Sequence, residues 1–283
     1  MHRRSHRLVG TALVACIPAL GMVLAFGPAA GASTASASPS ASAVAAARAA
    51  LDHLKIGEHG VDQAVGHATR IKGLTHVDST NWSGYADTGK AYDTVTGSWT
   101  EPKATCTSKT SLAAFWVGID GYSSDSVEQD GTLIECEGGT AMYFTWWEMF
   151  PTNAVEVVGD TLEPGDHISA SVVRSGTSYT LKVTDSTHPA NSFSTKQSCS
   201  CANTSAEWIA EAPSGSNGIF PLTHFSKWTL SSATVKTTSK SGVISSFTDH
   251  EITMEGSSGD VLAQPGALNS SGNSFSVTWK HST

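Results

Sequence analysis

Basic side chains are scarce in this chain: 17 Lys and Arg stand against 25 Asp and Glu in 283 residues, a net charge of −8. No basic block follows the first seven residues, so the electrostatic footprint that draws a protein to nucleic acid is missing. Long apolar runs are missing as well, with one exception at Leu8–Phe26. Cysteine is sparse, five residues with no C-x-x-C pair and no matching His pair, which argues against a structural zinc site. Neither G-x-S-x-G nor H-E-x-x-H occurs, which removes the nucleophile-elbow hydrolases and the zincins. The later histidines (His167, His188, His224, His250, His281) are scattered, which weighs against a Ser-His-Asp triad. No metal or other cofactor is expected.

What is present first is an address. Arg3, Arg4 and Arg7 precede the uncharged Leu8–Phe26 run, and a stretch of Ala, Gly and Ser follows it. This is the layout of a secretory signal peptide, here residues 1–38. A run of this length could just cross a bilayer, but Gly10, Pro18 and Gly21 within it favour a cleaved signal. The expectation is a secreted protein with no membrane association after cleavage. Removing Cys16 with the signal leaves Cys106, Cys136, Cys199 and Cys201, an even count that reads as two disulfides in an exported protein. Cys199 and Cys201 stand too close in sequence to pair comfortably, so each is expected to reach a distant partner.

Residues 39–78 form a second region. Ser42–Ile56 is built of good helix formers, and four basic residues balance four acidic ones. Four histidines also lie here, His53, His59, His67 and His76. A neutral leader of this kind reads as a propeptide, a partner of its own mature domain. Protonation of its histidines is expected to weaken docking. Residues 79–283 carry ten basic and twenty-one acidic side chains, so the mature body is acidic.

From Asn81 on, helical periodicity disappears. Thr94–Thr100, Ala113–Ile119, Ala141–Phe150, His167–Arg174, Ser178–Asp185, Ala206–Glu211, Thr223–Leu230, Glu251–Met254 and Ser274–Lys280 are rich in β-branched and aromatic residues and bounded by turn formers. Roughly a dozen such strands with period-two alternation predict an antiparallel β-sandwich or jelly roll. Asp87-Thr88-Gly89 spells the aspartic-protease signature once, without the second copy that a shared-proton dyad needs, and reads as a turn.

Two strands carry carboxylates where a closed core would not tolerate them. Alternation puts Glu207, Ile209 and Glu211 on one face, and Phe144, Trp146, Glu148 and Phe150 on another. Carboxyls on such faces must be paired, line a cleft or sit at an edge. Aromatic, partly dry surroundings raise a carboxyl's pKa, which suits acid–base work.

Phe115-Trp116-Val117-Gly118-Ile119-Asp120-Gly121, then Gln129, then Trp146-Trp147-Glu148-Met149-Phe150-Pro151, then Ala206-Glu207-Trp208-Ile209-Ala210-Glu211 occur in an order that resembles the glutamic peptidases, the eqolisins. Asn81-Trp82-Ser83-Gly84-Tyr85, Gly165-Asp166-His167-Ile168, Phe225 and the Ser274–Trp279 strand extend the likeness over about residues 79–280. The resemblance implies a concanavalin-A-like β-sandwich, acid-acting endopeptidase activity on polypeptide substrates, and a pro-segment removed on activation. It implies a catalytic dyad of Gln129 and Glu211, with Trp82, Asp120, Trp146 and Glu148 in the substrate cleft. The sequence departs from the fungal pattern at Leu133 and Phe144, where acids are usual, and at Asp130, where Thr is usual. The mature protein is expected to be a monomer.

The residue types suit the chemistry. Ionised Glu211 can take a proton from water and later return it to the leaving nitrogen, while the Gln129 amide stays a donor at any pH. Two other readings remain open to test. A sandwich glycoside hydrolase would use two carboxylates, Glu211 with Glu148 or Glu135 with Glu137, but its E-x-D-x-E strand is absent. A lectin-like module would leave Gln129 and Glu211 without a role.

Overall fold

A computed structural model describes residues 40–51, 53–57, 69–71 and 74–283. The expected signal peptide lies outside the described residues, as do His59 and His67 of the leader.

One helix, α1 (Ala41–Leu51), precedes an otherwise β-rich chain. Ser40 opens it, its hydroxyl accepting from the Ala43 N–H at 3.2 Å, which satisfies one of the free donors of the first turn. The expected helix reached Ile56, but the observed one stops five residues earlier. The Leu54 N–H closes a turn on the Leu51 carbonyl, and Lys55 then pairs with Ser214 as extended backbone. Tertiary pairing here overrides the good local helix propensity.

Fifteen strands of five or more residues follow among the described residues. They are β1 (Leu74–Ser79), β2 (Trp82–Thr88), β3 (Tyr92–Thr100), β4 (Ser111–Asp120) and β5 (Val127–Glu137). Next come β6 (Thr140–Phe150), β7 (Asn153–Gly159), β8 (His167–Ser175), β9 (Ser178–Asp185) and β10 (Phe193–Ser198). The last are β11 (Ser205–Glu211), β12 (Trp228–Thr237), β13 (Thr248–Glu255), β14 (Val261–Pro265) and β15 (Phe275–Trp279). The expected Thr223–Leu230 strand is broken at Ser226–Lys227, and its second half runs on to Thr237.

The front layer runs β7-β6-β5-β4-β11-β2-β13, all antiparallel, with β1 added in parallel beside β13. The back layer runs β10-β9-β8-β3-β12. β12 joins the two, pairing with β15 through Trp228–Leu230 and with β3 beyond it. The chain is thus a β-sandwich. β1 spans Leu74–Ser79, so the expected propeptide boundary at 78/79 falls within a strand. In β1 the His76 ring meets Glu251 at 3.0 Å.

Burial patterns separate the layers. β8 and β9 alternate buried and open positions, as a sheet with one wet face must. β4, β5 and β11 are buried almost end to end, so the front layer is covered on both faces. Inward, Phe115, Val117, Tyr85 and Trp208 meet Val95, Trp99, Val172 and Leu181 of the back layer. Each fully buried large apolar side chain contributes about 1.5–3 kcal/mol relative to exposure. Outward, Trp82, Trp116, Leu133, Phe144, Trp146 and Ile209 meet Leu51, Leu54 and Ile56 of the leader.

Two disulfides form, Cys106–Cys136 and Cys199–Cys201. The number matches the sequence expectation, but the distant partners for Cys199 and Cys201 do not exist. These two bond to each other across one residue, with Cα atoms 5.3 Å apart. A tight local fold brings them together: the Cys199 N–H is held by the Thr177 carbonyl, Asn203 has φ of 61°, and the Asn203 side chain donates to the Cys201 carbonyl at 2.7 Å.

Candidate active site

Glu211 ends β11, flanked by Trp82 of β2 on one side and Ala114 of β4 on the other. The strand alternation that makes Trp208 and Ala210 core residues turns Glu207, Ile209 and Glu211 the other way. Three kinds of donor converge on the Glu211 carboxylate. The Trp116 indole N–H donates to Oε2 at 2.9 Å, the Asn81 side-chain amide to Oε1 at 3.2 Å, and the Gly57 backbone N–H to both oxygens at 3.0 Å. Burial is the largest influence on this group and holds its pKa well above the ordinary carboxylate range, with nearby Glu148 adding to it. The Gly57 and Trp116 donors act in the opposite direction, favouring the ionised form.

Gln129 lies in β5, paired with Gly118 of β4 and Glu148 of β6. Its Nε2 donates to Glu148 Oε2 at 2.9 Å and to the Ile56 carbonyl at 2.6 Å. The Glu148 oxygen that accepts from Nε2 and the Ile56 carbonyl together hold the amide nitrogen toward the peptide unit. Gly118 opposite matters because a Cβ there would sit 2.8 Å from the Trp116 ring and 3.3 Å from the Gln129 Cβ. The absent side chain leaves the Trp116 ring and the Gln129 side chain undisturbed.

Gln129 and Glu211 therefore engage the two ends of one peptide unit, the Ile56 carbonyl and the Gly57 nitrogen. Glu148 touches Gln129 directly. Trp82 and Trp146 are fully buried in the apolar cluster around the leader, and Trp82 packs edge-on against Trp116 with centroids 5.1 Å apart. Asp120 is not brought to this seat. It ends β4 with φ of 70°, and its carboxylate accepts from the Asn203 N–H at 2.6 Å and the Thr204 N–H at 2.7 Å. Leu133 and Phe144 face each other across β5 and β6 and form part of the apolar wall that receives Leu54 and Ile56.

Asn81 and Trp116 stood within the sequence motifs but were not singled out as partners of Glu211. The signal for Trp116 was available in its alternation along β4, because Leu112, Ala114 and Trp116 share the outward face with Glu211. Asp87, expected in a turn, is the penultimate residue of β2 and fully buried, and the turn begins only at Gly89, whose φ is 79°.

Comparison with known proteins gives these residues a family. Scytalidopepsin B of Scytalidium lignicola is 32% identical over 135 residues, 46% of this chain and 51% of that protein. The match spans about half the length of that relative. A crystal structure of scytalido-glutamic peptidase with a transition-state analogue inhibitor superposes with a TM-score of 0.62 at 24% identity, over 71% of this chain and 98% of that one. Aspergilloglutamic peptidase from Aspergillus niger gives a TM-score of 0.52 at 26% identity, over 60% of this chain and 99% of that one. The family model for the Peptidase A4 family matches residues 80–279, most of the sequence, and the chain belongs to that family.

Proposed function

We propose that the chain is a secreted acid endopeptidase that hydrolyses peptide bonds with Gln129 and Glu211. In this reading residues 1–38 are the signal peptide, 39–78 the propeptide and 79–283 the mature domain, a concanavalin-A-like sandwich acting as a monomer on polypeptide substrates. The observation that carries it is the peptide unit held between the two residues. The Gln129 amide reaches the carbonyl oxygen, where negative charge develops, and Glu211 reaches the nitrogen that must leave.

The chemistry follows from those positions. Ionised Glu211 takes a proton from water, the hydroxyl oxygen adds to the carbonyl carbon, and the Gln129 N–H stabilises the oxyanion. Glu211 then delivers its proton to the nitrogen as the C–N bond breaks. Trp116 and Asn81 hold the carboxylate in place, and Glu148 holds the amide. Trp82 and Trp146 supply the apolar walls of the substrate seat. A free Glu carboxyl titrates near about 4.3, where one group cycles well between base and acid in acidic medium.

Hydrolysis of a denatured protein by the secreted chain between pH 2 and 7 tests this. Cleavage is expected in acid and is expected to vanish in Glu211→Gln. A Gln129→Ala enzyme should lose about 10²–10³ in rate, as removal of a single oxyanion donor does. Undiminished cleavage in either variant contradicts the assignment.

A further inference from the structure

The segment occupying the cleft has a defined register on the two catalytic residues. After α1, Lys55 pairs with Ser214 in both directions, Lys55 N–H to the Ser214 carbonyl at 2.9 Å and Ser214 N–H to the Lys55 carbonyl at 3.0 Å. This is the antiparallel addition of one extended residue to an existing edge, the mode by which peptides dock by backbone bonding. On either side of it Leu54 and Ile56 are buried in the apolar wall, while Lys55 points to solvent. The alternation is that of a bound strand.

The next peptide bond is Ile56–Gly57, the unit that Gln129 grips by its carbonyl and Glu211 by its nitrogen. Position 57 admits nothing larger than glycine in this pose. Its φ is +81°, and an added Cβ would sit 2.7 Å from Gln129 Nε2 and 2.8 Å from Val127 Cγ1. The seat, the polarity and the residue type coincide at one bond.

We propose that Ile56–Gly57 is a self-cleavage site, cut in cis by the chain that carries it. The inference rests on the peptidase reading above. The reaction consumes one water: its hydroxyl adds to the Ile56 carbonyl carbon, its proton passes through Glu211 to the Gly57 nitrogen, and the C–N bond breaks. The products are a leader fragment ending in a carboxylate at Ile56 and an intermediate beginning with a free amine at Gly57, which still carries residues 57–78 of the leader. The same pose assigns a preference in other substrates for a bulky apolar residue before the cut, received by Leu133, Phe144 and their neighbours, and for glycine after it.

The test uses the full chain, purified as wild type, Glu211→Gln and Gly57→Ala, and incubated between pH 3 and 7. Intact mass and N-terminal sequencing read the cut. Wild type is expected to yield a new N-terminus at Gly57, with a first-order rate that is unchanged over a 100-fold range of protein concentration. Glu211→Gln should yield none, and Gly57→Ala should cut at this bond at least tenfold more slowly while still digesting a denatured protein. Digestion of that protein by a wild-type chain whose 56–57 bond stays intact overturns the self-cleavage proposal and leaves the peptidase reading standing. A rate that rises with protein concentration, or the same new terminus in Glu211→Gln, overturns it as well. Failure to cut either substrate overturns both readings.

Discussion

Glu211 and Asp87 lie at opposite ends of the same strand pair, Glu211 opposite Trp82 and Asp87 opposite Ala206. Both are fully buried. Around Glu211 an indole, a side-chain amide and a backbone N–H donate to the carboxylate. Around Asp87 neither oxygen has a hydrogen-bond partner among the described residues, and burial, with Asp249 adding, pushes its pKa up to about 9. The difference teaches what burial alone does not provide. Burial raises both carboxyls; at Asp87 no hydrogen bond opposes the rise, whereas at Glu211 the Gly57 and Trp116 donors oppose it and are placed to stabilise negative charge when the group ionises.

The comparison can be broken at its donors first. Trp116→Phe keeps the ring and removes one charge-assisted hydrogen bond, worth about 1.5–3 kcal/mol, so kcat/KM should fall about 10- to 100-fold. The acid limb of its pH profile should move upward, because the ionised carboxylate has lost a donor. An unshifted limb would mean that Trp116 only fills space. Glu148→Ala frees the Gln129 amide and should cost about tenfold in kcat/KM, with kcat falling more than KM rises. An equal loss confined to KM would make Glu148 a substrate contact instead.

The Asp87 side of the comparison predicts a stability effect without a catalytic one. A carboxyl whose folded pKa is raised stabilises the fold fully below its unfolded pKa of about 3.9. That contribution is lost as pH rises toward the folded value, about 9 for Asp87 and Glu128 and about 8 for Glu101. The native state should therefore weaken steadily from acid to mildly alkaline pH. Asp87→Asn should leave kcat/KM unchanged and reduce the drop in Tm between pH 4 and 8 by a few °C. Thermal melts of both proteins across that range check it. The smallest effect is expected for the double replacement Cys199→Ser/Cys201→Ser, since a loop closed over so few residues removes little chain entropy. Melts should show it to be milder than loss of Cys106–Cys136, which closes 30 residues.

Much of this site was legible in the sequence because strand alternation is local. It put Glu211 on the face away from Trp208, and Glu148 on the face with Trp146, before any pairing was known. The motif order then joined Gln129 to Glu211. What alternation could not show is long-range register. That Trp116 donates to Glu211 depends on how β4 lies against β11, and that Ile56–Gly57 reaches both residues depends on a backbone pairing with Ser214, more than 150 positions away. The Cys199–Cys201 bond was missed for a related reason. Sequence spacing argued against it, whereas the left-handed Asn203 and the Thr177 contact fold the loop enough to allow it. Asp120 was named through the resemblance and not through alternation; in the structure it ends β4 with positive φ and is held by the Asn203 and Thr204 N–H groups.

Replacing Glu211 by Gln keeps the shape of the side chain and removes its capacity to exchange a proton. The most direct measurement is the initial rate of peptide-bond hydrolysis by wild type and Glu211→Gln from pH 2 to 7. The account predicts an acid optimum in wild type and a loss on the order of 10²–10⁴ in the variant at every pH, the scale of a general acid–base residue. A variant that retains the wild-type rate and profile would contradict it.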